Sequence, residues 1–411
     1  MSERIEAEGA SADRANGNIV TVAVCCLINT LNGFAMVGSS SLAASIASSW
    51  HAPLTVLRPA LGTAFIGMAI GGFFVAPRAD RVGRRNVIVA SIALLAMSTA
   101  ASGLATGIGA LAVARLGAGI GIGSLLAVLT VAVAEHSAKR WQIPAIMALH
   151  ASYPLGGVLA GLATTAPSRD SEWPMTFYWA AVASAVLIPA AVRWIPRREK
   201  PAAVSIGDSS QPLRKGGPLA SEHRRQTLSL WCAFVLYSAT VYLIVVEMPA
   251  LSVLRGMTPK YAVHAGALVN AGSIPGMLLF GILARWIPIR PLMAAFLIVG
   301  IPLLVAFANL PVAGSLAPIA AFMIGALVMA GFLALYVVAI QLYPFEIRAT
   351  GLGWAIGVGR LGIILGPLLG AGLRATGLSS AAAISALAIP VLATALVIGS
   401  FAAPNAGSHA P

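Results

Sequence analysis

Apolar runs of about twenty residues, the length that carries a helix across the hydrocarbon core of a bilayer, follow one another from residue 19 to residue 402. They fall near 19–43, 57–77, 87–107, 109–133, 142–165 and 175–195, and after a break near 228–252, 262–284, 290–310, 315–342, 350–374 and 380–402. Only 9% of the residues are charged and 58% are hydrophobic, whereas a water-soluble domain carries about 25% charge. The chain therefore reads as an all-α polytopic membrane protein with twelve transmembrane helices. The lipid bilayer is its first partner.

The polar residues lie between these runs. Residues 1–18 read as a short N-terminal tail, 19–195 as a six-helix bundle, 196–227 as a flexible linker, 228–402 as a second six-helix bundle and 403–411 as a C-terminal tail. Loops on the side of the linker hold seventeen Lys and Arg residues and loops on the other side hold five. Basic loops stay in the cytoplasm, so both termini and the linker are expected there, in a multi-pass protein of the inner membrane. The net charge of +13 is dispersed over these short loops, which argues orientation and not nucleic-acid binding. Glu3, Glu6, Glu8 and Asp13 make the first residues unlike a cleaved signal peptide. Cys25, Cys26 and Cys232 lie within apolar runs and have no metal-ligand spacing.

The halves echo each other. Gly72 and Gly281, Glu135 and Glu346, and Pro154 and Pro367 repeat at offsets of 209, 211 and 213 residues. A 6+6 duplication about a linker is the architecture of transporters that rock two bundles around a midplane site.

The second and third runs are joined by Gly72-Phe-Phe-Val-Ala-Pro-Arg-Ala-Asp80-Arg81-Val-Gly83-Arg84-Arg85. This stretch resembles the signature between helices two and three of the major facilitator superfamily. Its second-half copy, Gly281-Ile-Leu-Ala-Arg285, lacks the acid. Within the superfamily the chain is most similar to the aromatic acid:proton symporters. The similarity rests on Asn29-Thr-Leu-Asn32-Gly33-Phe34-Ala35 in the first run, Tyr343-Pro-Phe-Glu-Ile-Arg348-Ala-Thr-Gly351-Leu-Gly-Trp354 leading into the eleventh, and Gly359-Arg360 with Gly366-Pro367 within it. The resemblance implies a secondary transporter importing a small organic anion, an aromatic or other carboxylate, with a proton as coupling ion, no bound cofactor and a monomeric state. That family writes an acid where Asn32 and Ala35 stand, so coupling by the usual pair is impossible in this chain. A proton-independent facilitator or exporter is the alternative reading, and a transporter-shaped receptor a further one. Nothing in the sequence reads as an enzyme: there is no phosphate loop, nucleophile–base pair or metal cluster.

Ionisable groups at membrane depth are functional candidates by default. Arg360 lies about 18 Å into the eleventh helix at 1.5 Å per residue, near the midplane, and Arg115 lies early in the fourth. A guanidinium is a permanent cation with a fork that fits a carboxylate. Two of them argue for an anionic substrate. Asn32, His150, Tyr153, Trp354 and Phe34 complete the expected substrate-binding set. Glu247, in Val-Val-Glu247-Met-Pro249 of the seventh run, is a candidate proton carrier, because a carboxyl in low dielectric binds a proton near neutral pH, with His150 as a candidate assistant. The alternative is a gate residue near the outer mouth, solvated or paired with Arg255. In the hairpin, Gly72, Asp80, Arg81, Gly83, Arg84 and Arg85 form an expected cytoplasmic gate against the eleventh helix. Glu135 with Arg140, and Glu346 with Arg348, are expected to add a second, pseudo-symmetric set.

Overall fold

A computed structural model of the chain describes residues 19–165, 172–197, 217–221, 223–254, 259–309 and 316–375, with four further helical positions between 382 and 393. Both tails, most of the linker and nearly all of the twelfth expected helix lie outside the described residues.

Eleven long helices account for the first eleven apolar runs. They are α1 (Ile19–Ser41), α2 (Leu54–Ile70), α3 (Arg84–Gly103), α4 (Ile108–His136), α5 (Gln142–Thr165) and α6 (Trp173–Trp194), then α7 (Arg224–Leu254), α8 (Pro259–Leu283), α9 (Ile289–Asn309), α10 and α11 (Arg348–Ala375). The tenth is composite: Leu316–Ile324, a π turn at Gly325–Met329, and Ala330–Leu342 together make α10. A matching π turn at Gly71–Val75 extends α2. Eight of the described helices are long and apolar enough to cross a membrane by length and composition. Apolar side chains all round satisfy lipid outside and neighbours inside, while the helix satisfies its own backbone.

Packing repeats with the halves. In the first half α1 packs on α5 and α2 on α4; in the second, α7 packs on α11 and α8 on α10. Each pair maps onto the other by adding six. The halves meet along two seams, α2 with α11 and α5 with α8, which exchange under the same operation. One hydrophobic core runs through both halves, and a smaller one around Ile46, Leu57, Leu111 and Phe177 closes the end of the first half away from the hairpin.

Small residues let the helices approach. A β-carbon on Gly72 would stand 2.7 Å from the carbonyl oxygen of Gly353, and one on Gly353 would stand 2.5 Å from that of Gly72. The α2–α11 seam therefore closes backbone on backbone, as small residues permit in membranes. Gly353→Val is expected to force this seam apart by the width of a side chain. The transport expected from the sequence should fall severely while the protein still purifies as a folded species, which uptake and size-exclusion profiles on the same preparation would check. Normal uptake by this variant would mean the seam need not close.

Candidate functional site

Near the middle of α11, Arg360 directs Nη1 to the Tyr242 hydroxyl of α7 at 3.3 Å. Its Nε is buried and has no hydrogen-bond partner. The ring of Tyr242 meets Phe65 of α2 edge-on at 5.8 Å, so the arginine's partner bridges the two halves. Tyr153 of α5 lies within electrostatic reach of Tyr242, Arg360, Tyr336 and Arg115. A second bridge runs between α5 and α10, where His150 contacts the Tyr336 ring at a centroid distance of 4.3 Å. Tyr336 in turn packs edge-on against Phe234 and Phe332.

His150 is buried, and its Nε2 lies 3.2 Å from the Thr130 hydroxyl. That hydroxyl spends its proton on the Leu126 carbonyl at 2.6 Å, so it accepts from the imidazole and Nε2 carries the proton. Helix geometry explains the Thr130 bond, since a threonine can donate back to the carbonyl four residues earlier. The assembly is a guanidinium faced by a neutral phenol inside a collar of rings. It can fork onto a planar carboxylate and stack an aromatic ring edge-on or offset.

The remaining expected contacts are dispersed. Asn32 is wholly buried on α1, its Nδ2 3.3 Å from Asn29 Oδ1 and its own Oδ1 without a partner. Phe34 is half-buried where α1 crosses the backbone of Gly156 on α5. Trp354 lies toward the hairpin end, its indole N–H donating to the Phe73 carbonyl at 3.2 Å and its ring 6.2 Å from Trp231. Arg115 is wholly buried, with Nη2 3.1 Å from the Ala35 carbonyl. Glu247 lies in α7 five residues beyond Tyr242; its side chain lies outside the described residues. Sequence reasoning missed Tyr242, Tyr336, Phe65, Phe234, Phe332 and Thr130. The available signal was the tyrosines: the chain has only seven, and a phenol within an apolar run needs a reason to be there.

The hairpin builds a junction at one end of the molecule. Asp80, in the short helix Arg78–Val82, accepts from the Thr350 amide and hydroxyl, both at 2.7 Å, and from the Ala349 amide at 3.3 Å. It thus caps the start of α11 from the opposite half, where the helix N-terminus presents unpaired N–H groups and a positive dipole end. Arg84 is 4% exposed. Its Nη2 reaches Asp80 at 3.0 Å, Glu135 at 3.1 Å and the Phe345 carbonyl at 3.0 Å; Nη1 donates to the Ala79 carbonyl at 2.8 Å. The guanidinium also lies 5.0 Å from the Phe345 ring centre. Gly83 turns the chain with φ 94°, a left-handed conformation costly for other residues.

Burial pushes the Asp80 carboxyl above its ordinary value, against the pull of Thr350 and Arg84. Arg81, Arg140 and Glu346 are exposed and Arg85 is half-buried. Arg348 donates from Nε to the Tyr343 carbonyl at 3.1 Å. Glu135 thus joins Arg84, and neither Arg140 nor Glu346 enters the junction. On the second seam the acid-free copy uses another contact: Arg285 stacks 4.1 Å over Trp141 at the foot of α5, and Gly281 lies against Pro144 and Met147.

The sequence profile of the Major Facilitator Superfamily matches residues 25–367. The chain is 28% identical over 387 residues to the 3-(3-hydroxy-phenyl)propionate transporter of Escherichia coli, covering 92% of this chain and 93% of that one. It is 26% identical to the gallate transporter of Pseudomonas putida, covering 91% and 90%. Among solved structures it is similar in fold to the proton:xylose symporter XylE, with a TM-score of 0.72 at 15% identity, over 95% of this chain and 96% of that one.

Proposed function

The chain belongs to the Major Facilitator Superfamily, and from that premise we propose that it carries a small aromatic carboxylate across the cytoplasmic membrane by alternating access. The observation that carries this reading is Arg360, a cation at mid-helix whose partner is the neutral hydroxyl of Tyr242. A cation at membrane depth is ordinarily paired, and a substrate carboxylate supplies a partner for as long as it is bound. The nearby rings of Phe65, Tyr242 and Tyr336 come from both halves, so a bound aromatic ring would be held by each bundle. Relatives named as transporters of hydroxyphenylpropionate and gallate support the same class of substrate.

In this reading the basic hairpin faces the cytoplasm by the positive-inside rule. The junction of Asp80 and Arg84 with α11 then closes that side and opens when the bundles rock. Import as a monomer, with protons moving inward through Glu247 and assisted by His150, is the coupling we propose. A facilitator that uses no proton is the second reading, favoured by Asn32 and Ala35, which offer α1 no acid.

The test is uptake of radiolabelled benzoate and hydroxybenzoates into proteoliposomes, with and without an inward proton gradient. Accumulation above equilibrium only with the gradient supports symport, and Glu247→Gln should then reduce accumulation to equilibration while substrate still binds. Equilibration without accumulation in the unmodified protein would mean a facilitator. Absence of any carboxylate flux would overturn the reading.

A further inference from the structure

Arg115 is the largest wholly buried side chain in the described residues. Its Nη2 donates to the Ala35 carbonyl at 3.1 Å, and its guanidinium carbon lies 6.0 Å from the centre of the Phe177 ring. Nε and Nη1 have no hydrogen-bond partner, and no carboxylate pairs with the group among the described residues. One turn earlier on α1 than Ala35, Asn32 is also wholly buried, with its Oδ1 unpartnered. A guanidinium withdrawn from water is stable when a counter-charge or a full set of acceptors replaces the lost hydration. One neutral carbonyl, one ring and the uncharged phenol of Tyr153 supply neither. At Ala35 the side chain nearest that carbonyl is a methyl group, which brings no charge.

We propose that Arg115 is the centre of a second anion site, between α1, α4 and α6 and separate from Arg360. It takes one small monovalent anion, either a halide or the carboxylate of a transported acid. The anion completes the hydrogen bonding of Nε and Nη1 and neutralises the guanidinium. Two arginines then have two different duties: Arg360 holds the ring-bearing substrate at the seam between the halves, and Arg115 holds an anion within one half.

The full chain, purified in detergent, would be titrated with sodium chloride against sodium gluconate at constant ionic strength, and separately with benzoate, following Tm. A chloride-dependent rise of about 3 °C, lost in Arg115→Gln and in Ala35→Asp, assigns the site to an inorganic anion. A comparable rise with benzoate alone that persists in Arg360→Gln, and is lost when Arg115→Gln or Ala35→Asp is added to that variant, assigns it to a substrate carboxylate. Ala35→Asp is informative because it places a carboxylate beside the guanidinium, so this variant should be more stable without added anion and indifferent to its addition. A chloride rise retained in Arg115→Gln and Ala35→Asp, a benzoate rise retained in Arg360→Gln after either of those changes is added, a benzoate rise lost in Arg360→Gln with no chloride rise beside it, or no rise with either anion overturns the proposal.

Discussion

Arg360→Gln is expected to lower kcat/KM for aromatic carboxylate uptake by about 100-fold, equivalent to about 2.7 kcal/mol. Glutamine is polar but carries no charge, and it ends two bonds short of the Nη1 that reaches the Tyr242 hydroxyl. Truncating one partner of a desolvated charge pair costs about 2–5 kcal/mol, and the lower part of that range applies because the arginine is only half-buried. Arg360→Lys keeps the charge and loses the planar fork, so it should fall between, at roughly a tenfold loss. Uptake and equilibrium binding of benzoate by the three proteins would check this. If glutamine transported as well as arginine, the carboxylate would have to bind elsewhere, and Arg360 would be a helix tie through Tyr242 alone.

Arg84→Ala should have the largest effect at the hairpin end. Asp80 and Glu135 both pair with this guanidinium, and their side chains are 6% and 10% exposed. Removing the cation leaves two carboxylates close together and largely out of water, and breaking a buried pair in this way costs about 3–5 kcal/mol. The penalty is relieved by opening, because solvated carboxylates no longer repel strongly. The equilibrium should therefore move toward the state with the hairpin detached, by on the order of 100-fold or more. Hydrogen exchange at the Ala349 and Thr350 amides, which Asp80 covers, reads this directly: both should lose protection. The double variant Arg84→Ala with Glu135→Gln should be milder than Arg84→Ala alone, since one unpaired charge disappears with the second change. Unchanged protection at Thr350 in Arg84→Ala would mean Asp80 caps α11 without help from the arginine.

Which parts of this could be read without coordinates follows from the range of each interaction. Apolar runs of about twenty residues and the scarcity of charge are local properties, and in a bilayer they dictate helices because no other backbone partner is available. The first eleven apolar runs are helices near the positions their composition implies. The duplication was legible from three residue pairs, and the six-helix offset between the packing pairs gives it a physical form. Membership of the superfamily was legible in the hairpin, whose glycine, acid and arginine spacing is compact enough to survive in one short stretch.

The partners of those residues were a different matter. Glu135 stands four residues from Lys139 and five from Arg140 in the chain, yet it pairs with Arg84, fifty-one residues away. The close approach of α2 to α11 decided that, by bringing the start of α11 against the hairpin so that its loop buries both acids around one cation. Arg360 was visible as a charge in an apolar run, but Tyr242 was not visible as its partner. That pairing depends on the rotation of α7 about its axis, which side-chain packing sets and hydrophobic periodicity does not, since both faces of such a helix are apolar. Helix existence and the doubling were thus settled by composition and spacing, which also marked the charged candidates. Which side chains share a site was settled by how two bundles of apolar helices turn toward one another.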